Sequence, residues 1–552
     1  MARREAAPAG APRPSDVTIL QRRLKGLTRE MGLSLLHTAR SPILAEARDF
    51  VTGLYDGQGR MLEQTEYIPV LAFAIQPALR TLIERFAGQV RPGDVFLHND
   101  VFSGGNQLAD VCVFRPIFWE GELVAWAAAK GHQADIGGAV GGGYNPRATE
   151  VWQEGLRIPP VKVYEEGRLR RDVWELILAN IRYPVVAEDL QAAMGACTVG
   201  ERGLHRLLGR SGLERFRRET RALFQATEAR MRAAIAAFPD GVYAGEAAVC
   251  AGAEDRGGPL WIRCRVEIQG GRLRVRYPGT SAQTEGFINA PRSASLSAAV
   301  LTLLMVLAPD IPHNEGMLAP IEVDLPDGTI LAARYPAATG FGNTLTGAHA
   351  DALFRAFARA RPDRVTAGWN RMLAVVLSGR DPRRRGAPYV DILFNALKGG
   401  GGAMEGLDGY DHIGLINCAG GILAQDPEMF EFHTPHRLLL HEYAPGTAGA
   451  GRWRGGRGVV TRVRLGAGGT RVVVFGDGLT EETRAFGLAG GGPGARNRLY
   501  LDLPDGRRVV PKSLDILEDV PEGTVLTQVA GGGGGYGPSP GGGRKGRGRG
   551  SR

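Results

Sequence analysis

The sequence predicts an α+β (mixed α/β) protein of several domains, with a helix-rich N-terminal half containing β-hairpins and a β-rich C-terminal part. Three observations predict it. Apolar residues recur at helical spacing over long stretches before residue 238. Alternating, strand-like runs dominate after it. The 552 residues exceed one ordinary domain of about 100–200 residues. Composition shifts at Pro239-Asp240-Gly241, which marks a boundary.

Residues 1–14 read as a disordered tail, and 15–238 as an N-terminal domain. Ser15 and Asp16 are candidate caps for a helix continued by Leu20, Leu24, Leu27 and Met31 and ended by Pro42. FVTGLYDGQGRML reads as a hairpin about Asp56 to Gly59. A helix follows through Leu79, Leu82, Ile83 and Phe86, closed by Gly88. Further helices are expected at 172–182, 186–209 and 212–237, the last opened by a capping box of Ser211 and Glu214. Residues 239–330 read as a β-rich segment plus a helix near 292–308, and 331–440 as a mixed segment with a helix near 349–360. Residues 441–530 read as a β-rich domain and 531–552 as a Gly/Arg-rich disordered tail. The 80 glycines show no G-X-Y period and point to tight turns and close backbone approaches.

Five of the nine net positive charges lie in Arg544–Arg552. The body is therefore weakly basic, and nucleic acid is not an expected partner. The N-terminus lacks the apolar core of a secretory signal, and the longest apolar stretch, Ala298–Ala308, is too short for a bilayer. Five scattered cysteines without C-x-x-C fit a reducing compartment. The expectation is a cytoplasmic protein that does not engage membranes.

Residues 111–118 and 123–130 read as two strands joined by a turn at 119–122. Pairing Phe118 with Leu123 without a bulge puts Asp110 opposite Gly131, beside His132, and Gln107 opposite Ala134, beside Asp135. Four polar residues then gather at the open end of one hairpin. A carboxylate and an imidazole held close are ligands for Zn, Mn or Fe. The local alternative is that Asp110 caps a turn and His132 bonds a loop backbone. Asn99 and Asp100 precede paired glycines, in a turn that presents an amide and a carboxylate or simply forms a turn.

The runs GDVFLHNDVFSGGNQLADV, GHQADIGG and EVWQEGLRIPPVKVY, with TVGERGL, PGTSAQTEGFIN, DIPHNEGMLAPIEV and GGGGGYG, resemble the hydantoinase B/oxoprolinase family from about residue 16 to 538. The resemblance implies a subunit of an ATP-dependent cyclic-amide hydrolase that opens hydantoins, 5-oxoproline or lactams. ATP-Mg would be carried by a hydantoinase A-type partner in a hetero-oligomer. It implies a divalent metal (Zn, Mn or Mg) at Asp110 and His132, with Gln107 where the family has histidine. Asp100 and Asp135 are then acid–base candidates, and Asn99 would orient the substrate carbonyl. Gln133, Tyr67 and Leu71 also replace family histidines. Two other readings fit: an α-type subunit of an acetone/acetophenone-like carboxylase, or a structural partner with a decayed site. The chain has no G-x-x-x-x-G-K-[ST] loop, which fits nucleotide on a partner.

Other polar groups divide similarly. His412 and Asn417 are candidate site walls. His433, His436 and His441 are expected in solvated or interface roles. Glu154 and Arg157 are read as a structural ion pair or as lining the site, with structure favoured, and DIGGAVGGGYNP as a mobile interface loop or a phosphate cradle.

Overall fold

The computed structural model describes residues 12–539. The expected tails at 1–11 and 540–552 lie outside the described residues. The fold is mixed α+β, as the sequence predicts.

The first sheet is built from β1 (Phe50–Asp56), β2 (Met61–Glu66), β3 (Val95–His98), β4 (Asp110–Trp119), β5 (Glu122–His132), β6 (Val161–Glu165) and β7 (Arg168–Leu169). Their order is β2-β1-β5-β4-β3-β6-β7. β4 and β5, the longest pair, form the expected hairpin at its centre. The odd-numbered residues of β4 face the helix Val185–Ser211, to which Arg115 is tied through Glu201 at 2.6 Å. The helix Pro14–Thr38 packs across that helix and over β1 and β2. Gly200 allows the close approach: a Cβ there would lie 2.6 Å from Met31 Sδ. On the opposite face, at the open end of the hairpin, Asp110 meets Asn343 of the C-terminal half.

Two expected caps differ. The first helix is capped by Arg13, with Asp16 accepting from the Arg13 backbone N–H at 3.3 Å. Ser211 is the last residue of one helix rather than the cap of the next, because Gly212 at φ 74° alone turns the chain into Leu213–Ala236.

The second sheet, β11-β10-β9-β8, uses β8 (Gly241–Val249), β9 (Leu260–Gln269), β10 (Arg272–Arg276) and β11 (Ile321–Asp324). It carries the helix Thr346–Ala360 on one face. The apolar stretch near 300 is the buried helix Arg292–Leu307. The third sheet joins β12 (Leu373–Asp381) and β13 (Ala387–Ile392) to β16 (Thr470–Gly476) and β19 (Leu514–Val520). Strands from the expected 331–440 and 441–530 segments therefore share one sheet. The fourth is β14 (Arg437–Tyr443), β15 (Val459–Arg464), β20 (Val525–Val529), β17 (Arg498–Asp502) and β18 (Arg508–Val509). Leu373, Val375, Val472 and Val474 pack toward it. Ala374, Val376, Val473 and Phe475, on the opposite face, join the main core, which runs from Leu20 to Ile516.

The end of the described chain corrects the expectation of a disordered tail from 531. Gly531–Gly535 are buried and threaded between Gly400–Gly401, Gly455–Gly456 and Gly491–Gly494. Gly533 N–H donates to Gly456 O at 2.9 Å and Gly534 N–H to Gly368 O at 2.9 Å. A Cβ on Gly533 would sit 1.8 Å from Gly401 O, so backbone packs on backbone where any side chain would collide.

Candidate functional site

The hairpin turns at Glu120 and Gly121, both at positive φ (50° and 85°), and Phe118 pairs with Leu123, as expected. A bulge then intervenes: Ile117 pairs with Ala125, leaving Val124 extra. From there to the open end the ladder is shifted by one, and Asp110 pairs with His132 instead of Gly131. This corrects the unbulged register. Without the bulge, His132 would project from the opposite face to Asp110. With it, both project from one face, and His132 Nδ1 lies 2.7 Å from Asp110 Oδ1.

The next strand extends the row. β1 pairs with β5 so that Asp49, just before β1, lies beside His132, its backbone carbonyl accepting the His132 backbone N–H at 3.0 Å. Asp110, His132 and Asp49 thus stand side by side across three strands. Asp110 Oδ2 accepts from Asn106 Nδ2 at 2.6 Å and Asn343 Nδ2 at 3.0 Å. Asn343 also donates to Gln107 Oε1 at 3.0 Å, and Gln107 Nε2 donates to Gly340 O at 2.9 Å. The loop leading to Asn343 is pinned by Glu154, whose carboxyl accepts from Thr339 N–H and Gly340 N–H at 2.8 and 2.7 Å.

These contacts set the proton affinities. Burial pushes the Asp110 carboxyl up. His132, Lys130 and Asn343 outweigh it and hold Asp110 below the usual carboxylate range. Burial disfavours the His132 imidazolium, but the bond to Asp110 and the charges of Asp110 and Asp49 raise its proton affinity above that of ordinary histidine. Burial lifts Asp49 to about 7, with Asp110 adding and His132 opposing. Because a carboxylate receives the Nδ1–H, neutral His132 presents its lone pair at Nε2. That atom is buried and has no hydrogen-bond partner among the described residues. The Tyr144 ring stacks over the imidazole at 5.7 Å and 16°. Asp49, Gln107, Asp110, His132, Asn417 and Cys418 share the wall of a small cavity of about 50 Å³.

The donors as placed do not fit the divalent metal that the family resemblance implies. Asp110 Oδ1 and His132 Nδ1 bond each other, Asp110 Oδ2 is taken by two amides, and Gln107 Oε1 is taken by Asn343. Among the described residues no three His, Cys, Asp or Glu side chains gather to hold an ion. On the cavity wall His132 Nε2 is left without a hydrogen-bond partner beside Asp49, two donors that are too few to hold a divalent ion and can exchange protons.

The other candidates lie outside the cavity wall. Asn99 staples three backbone segments, donating to Leu108 O and Leu156 O and accepting from Ile158 N–H. Asp100 binds Arg157, Ser103 and Phe102 N–H. Burial raises its pKa, but these donors hold it below the usual range. Asp135 is held by Arg182 through Nη1 at 3.0 Å and the backbone N–H at 2.9 Å. Arg157 thus pairs with Asp100, and Glu154 holds a loop, so these two do not pair with each other. His412 Nε2 lies 3.0 Å from His441 Nε2, away from the cavity, while neighbouring Asn417 lines it. His436 packs on Tyr389, so the HTPHRLLLH histidines do not cluster. Sequence reasoning missed Asp49, Asn106, Tyr144, Asn343 and Cys418.

No described helix is long and apolar enough to cross a membrane. The hydantoinase B/oxoprolinase family model matches residues 13–539. Caprolactamase subunit beta of Pseudomonas jessenii is 36% identical over 527 residues, covering 94% of this chain and 88% of that protein. The crystal structure of ATP-dependent caprolactamase from Pseudomonas jessenii superposes with a TM-score of 0.89 at 34% identity, over 96% of this chain and 91% of that one. Nucleotide-free acetone carboxylase shares the fold, with a TM-score of 0.87 at 21% identity over 95% and 76%. Across almost its full described length, the chain belongs to the hydantoinase B/oxoprolinase family.

Proposed function

We propose that this chain is the hydrolytic subunit of an ATP-dependent cyclic-amide hydrolase, acting on a lactam, hydantoin or 5-oxoproline with a hydantoinase A-type subunit that binds ATP. Family membership and the caprolactamase relative support the substrate class. The observation that carries the reading is the buried Asp110–His132 pair with Nε2 unpartnered in a cavity.

The chemistry follows from what an amide resists. Its carbonyl carbon is a poor electrophile at neutral pH. Phosphorylation of the carbonyl oxygen on the ATP-binding subunit activates that carbon. Water then adds to it while His132 Nε2 takes the water proton, and Asp110 stabilises the imidazolium. His132 returns the proton to the ring nitrogen, which leaves as the amine as the C–N bond breaks. The acyl phosphate that results is hydrolysed by a second water to carboxylate and phosphate. Asp49, lifted to about 7, is the second proton-exchanging group.

The test is to co-express the chain with its A-type subunit and measure ADP and ring-opened product with caprolactam, hydantoin and 5-oxoproline. Coupled release of ADP and amino acid is expected. Ring opening by the isolated chain without ATP, or no turnover on any cyclic amide, would contradict it.

A further inference from the structure

The cavity at His132 measures about 50 Å³. A water claims about 30 Å³ of liquid volume, so this space suits one or two waters and no cyclic amide. A larger pocket of about 900 Å³ lies nearby, lined in part by Pro146, Arg147, Arg256, Phe287, Ile288 and Leu514. That size falls within the usual range for small-molecule sites, about 300–1,000 Å³.

The two spaces are separated by stacked rings. Phe287 lines the outer pocket, while Phe475 and Tyr144 line the inner cavity. Phe287 meets Phe475 edge-on at 6.1 Å, Phe475 stacks on Tyr144 at 4.2 Å, and Tyr144 lies over His132 at 5.7 Å. Tyr144 closes the glycine-rich loop, directly after Gly142 and Gly143 at φ 88° and 74°, and Pro146 of the same loop lines the outer pocket. The loop therefore touches both spaces and has glycines where it must swing.

The outer pocket is mixed in charge: Arg147, Arg256 and Lys512 line it with Asp255, Glu285 and Asp515, and Lys512 is paired with Asp255. Phe287, Ile288 and Leu514 offer an apolar surface. Arg147 and Arg256 donate to the carbonyls of Ile516 and Ala251 at 3.1 and 2.8 Å, and neither is in an ion pair among the described residues. We propose that this pocket binds the phosphorylated cyclic amide, with ring on the apolar wall and phosphate toward Arg147 and Arg256. The Phe287–Phe475–Tyr144 stack is the partition that parts to bring the activated carbon to His132. The inference rests on the hydrolase reading above but is tested separately from it.

Two measurements test it. In the full chain, the rate at which diethyl pyrocarbonate modifies His132 is followed by peptide mass spectrometry, with buried His349 as internal reference. Phe287→Ala should speed His132 modification about tenfold relative to His349 by easing local opening, and Phe287→Leu, retained in case the alanine variant misfolds, should give a smaller rise. An unchanged ratio in the folded variants overturns the partition. Second, Ala282→Cys places a thiol in the outer pocket of a chain whose five native cysteines are all buried. In the complex with ATP, caprolactam should slow labelling of Cys by N-cyclohexylmaleimide about tenfold, as a bound ligand stabilises its closed site, and the labelled complex should lose turnover. Full turnover after labelling, labelling unaffected by caprolactam, or a label that only blocks subunit assembly would overturn the binding site. If the hydrolase reading itself is wrong, unlabelled complex shows no ring opening, whatever the His132 modification rates.

Discussion

Asp110 and Asp135 flank the same hairpin and both are fully buried, yet their surroundings do opposite things. Asp135 meets Arg182 and two backbone N–H groups, which satisfy it and lock a loop. Asp110 meets two amides and His132, and the imidazole passes its remaining bonding capacity, at Nε2, into a cavity. A carboxylate whose contacts end in a guanidinium is scaffold. One whose contacts end in an unpartnered imidazole nitrogen can move a proton. The difference separates chemistry from support within one motif.

The sharpest way to break the comparison is to remove each side in turn. His132→Gln should cut ring opening by about 10²–10⁴-fold, the usual contribution of a general acid–base group, while leaving assembly intact by gel filtration. Asp135→Asn should instead lower stability by about 2 kcal/mol, since it weakens a buried carboxylate whose Arg182 partner is partly exposed. Its turnover per folded complex should stay within a fewfold of the parent, as read by urea melts alongside initial rates. Similar activity losses in both variants, at equal stability, would erase the distinction.

A subtler contrast lies in the carboxyls that burial protonates. Glu154 and Asp391 are both lifted to about 8, in each case chiefly by burial. Their folded pKa values exceed their unfolded ones, so the folded chain binds more protons between about pH 4 and 8. Stability should therefore fall as pH rises through that window. Glu154→Gln should flatten part of the slope, by about 1.4 kcal/mol for each pH unit of the window it removes, in melts at pH 5 and pH 8. An unchanged slope would show that Glu154 is ionised in the folded state.

The smallest expected effect concerns Gln107. Replacing it with histidine exchanges an amide for an imidazole beside Asn343 and Asp110. Gln107→His should retain a divalent ion through purification where the parent does not, measured by plasma mass spectrometry. Equal metal content in both would show that position 107 does not govern ion binding.

Much of this was legible in the residues. The hairpin, its turn and the neighbourhood of Asp110 and His132 follow from strand pattern and turn chemistry. Their facing did not, because nothing about Val124 marks it as the extra residue, and one bulge inverts which face His132 takes. Asp49 was hidden because only sheet order puts β1 beside β5. Asn343 was hidden because it arrives from a loop far along the chain. Asn99, Asp100 and Asp135 stood out for their motif, but a motif does not say where each side chain's hydrogen bonds end. The glycines after 530 read as a tail since their role, backbone packed on backbone, needs partners from three other segments.

The central claim is that Asp110 raises the proton affinity of His132 so that Nε2 acts as the base. The direct measurement is the pH profile of kcat/KM for ring opening by the complex, in the parent and in Asp110→Asn. A raised His132 pKa means that the neutral, active imidazole is lost as pH falls through a midpoint above the ordinary histidine value of 6.5. The account predicts that acid limb in the parent, and its displacement to lower pH, with a lower plateau, in Asp110→Asn. An acid limb at the same pH in both would contradict it.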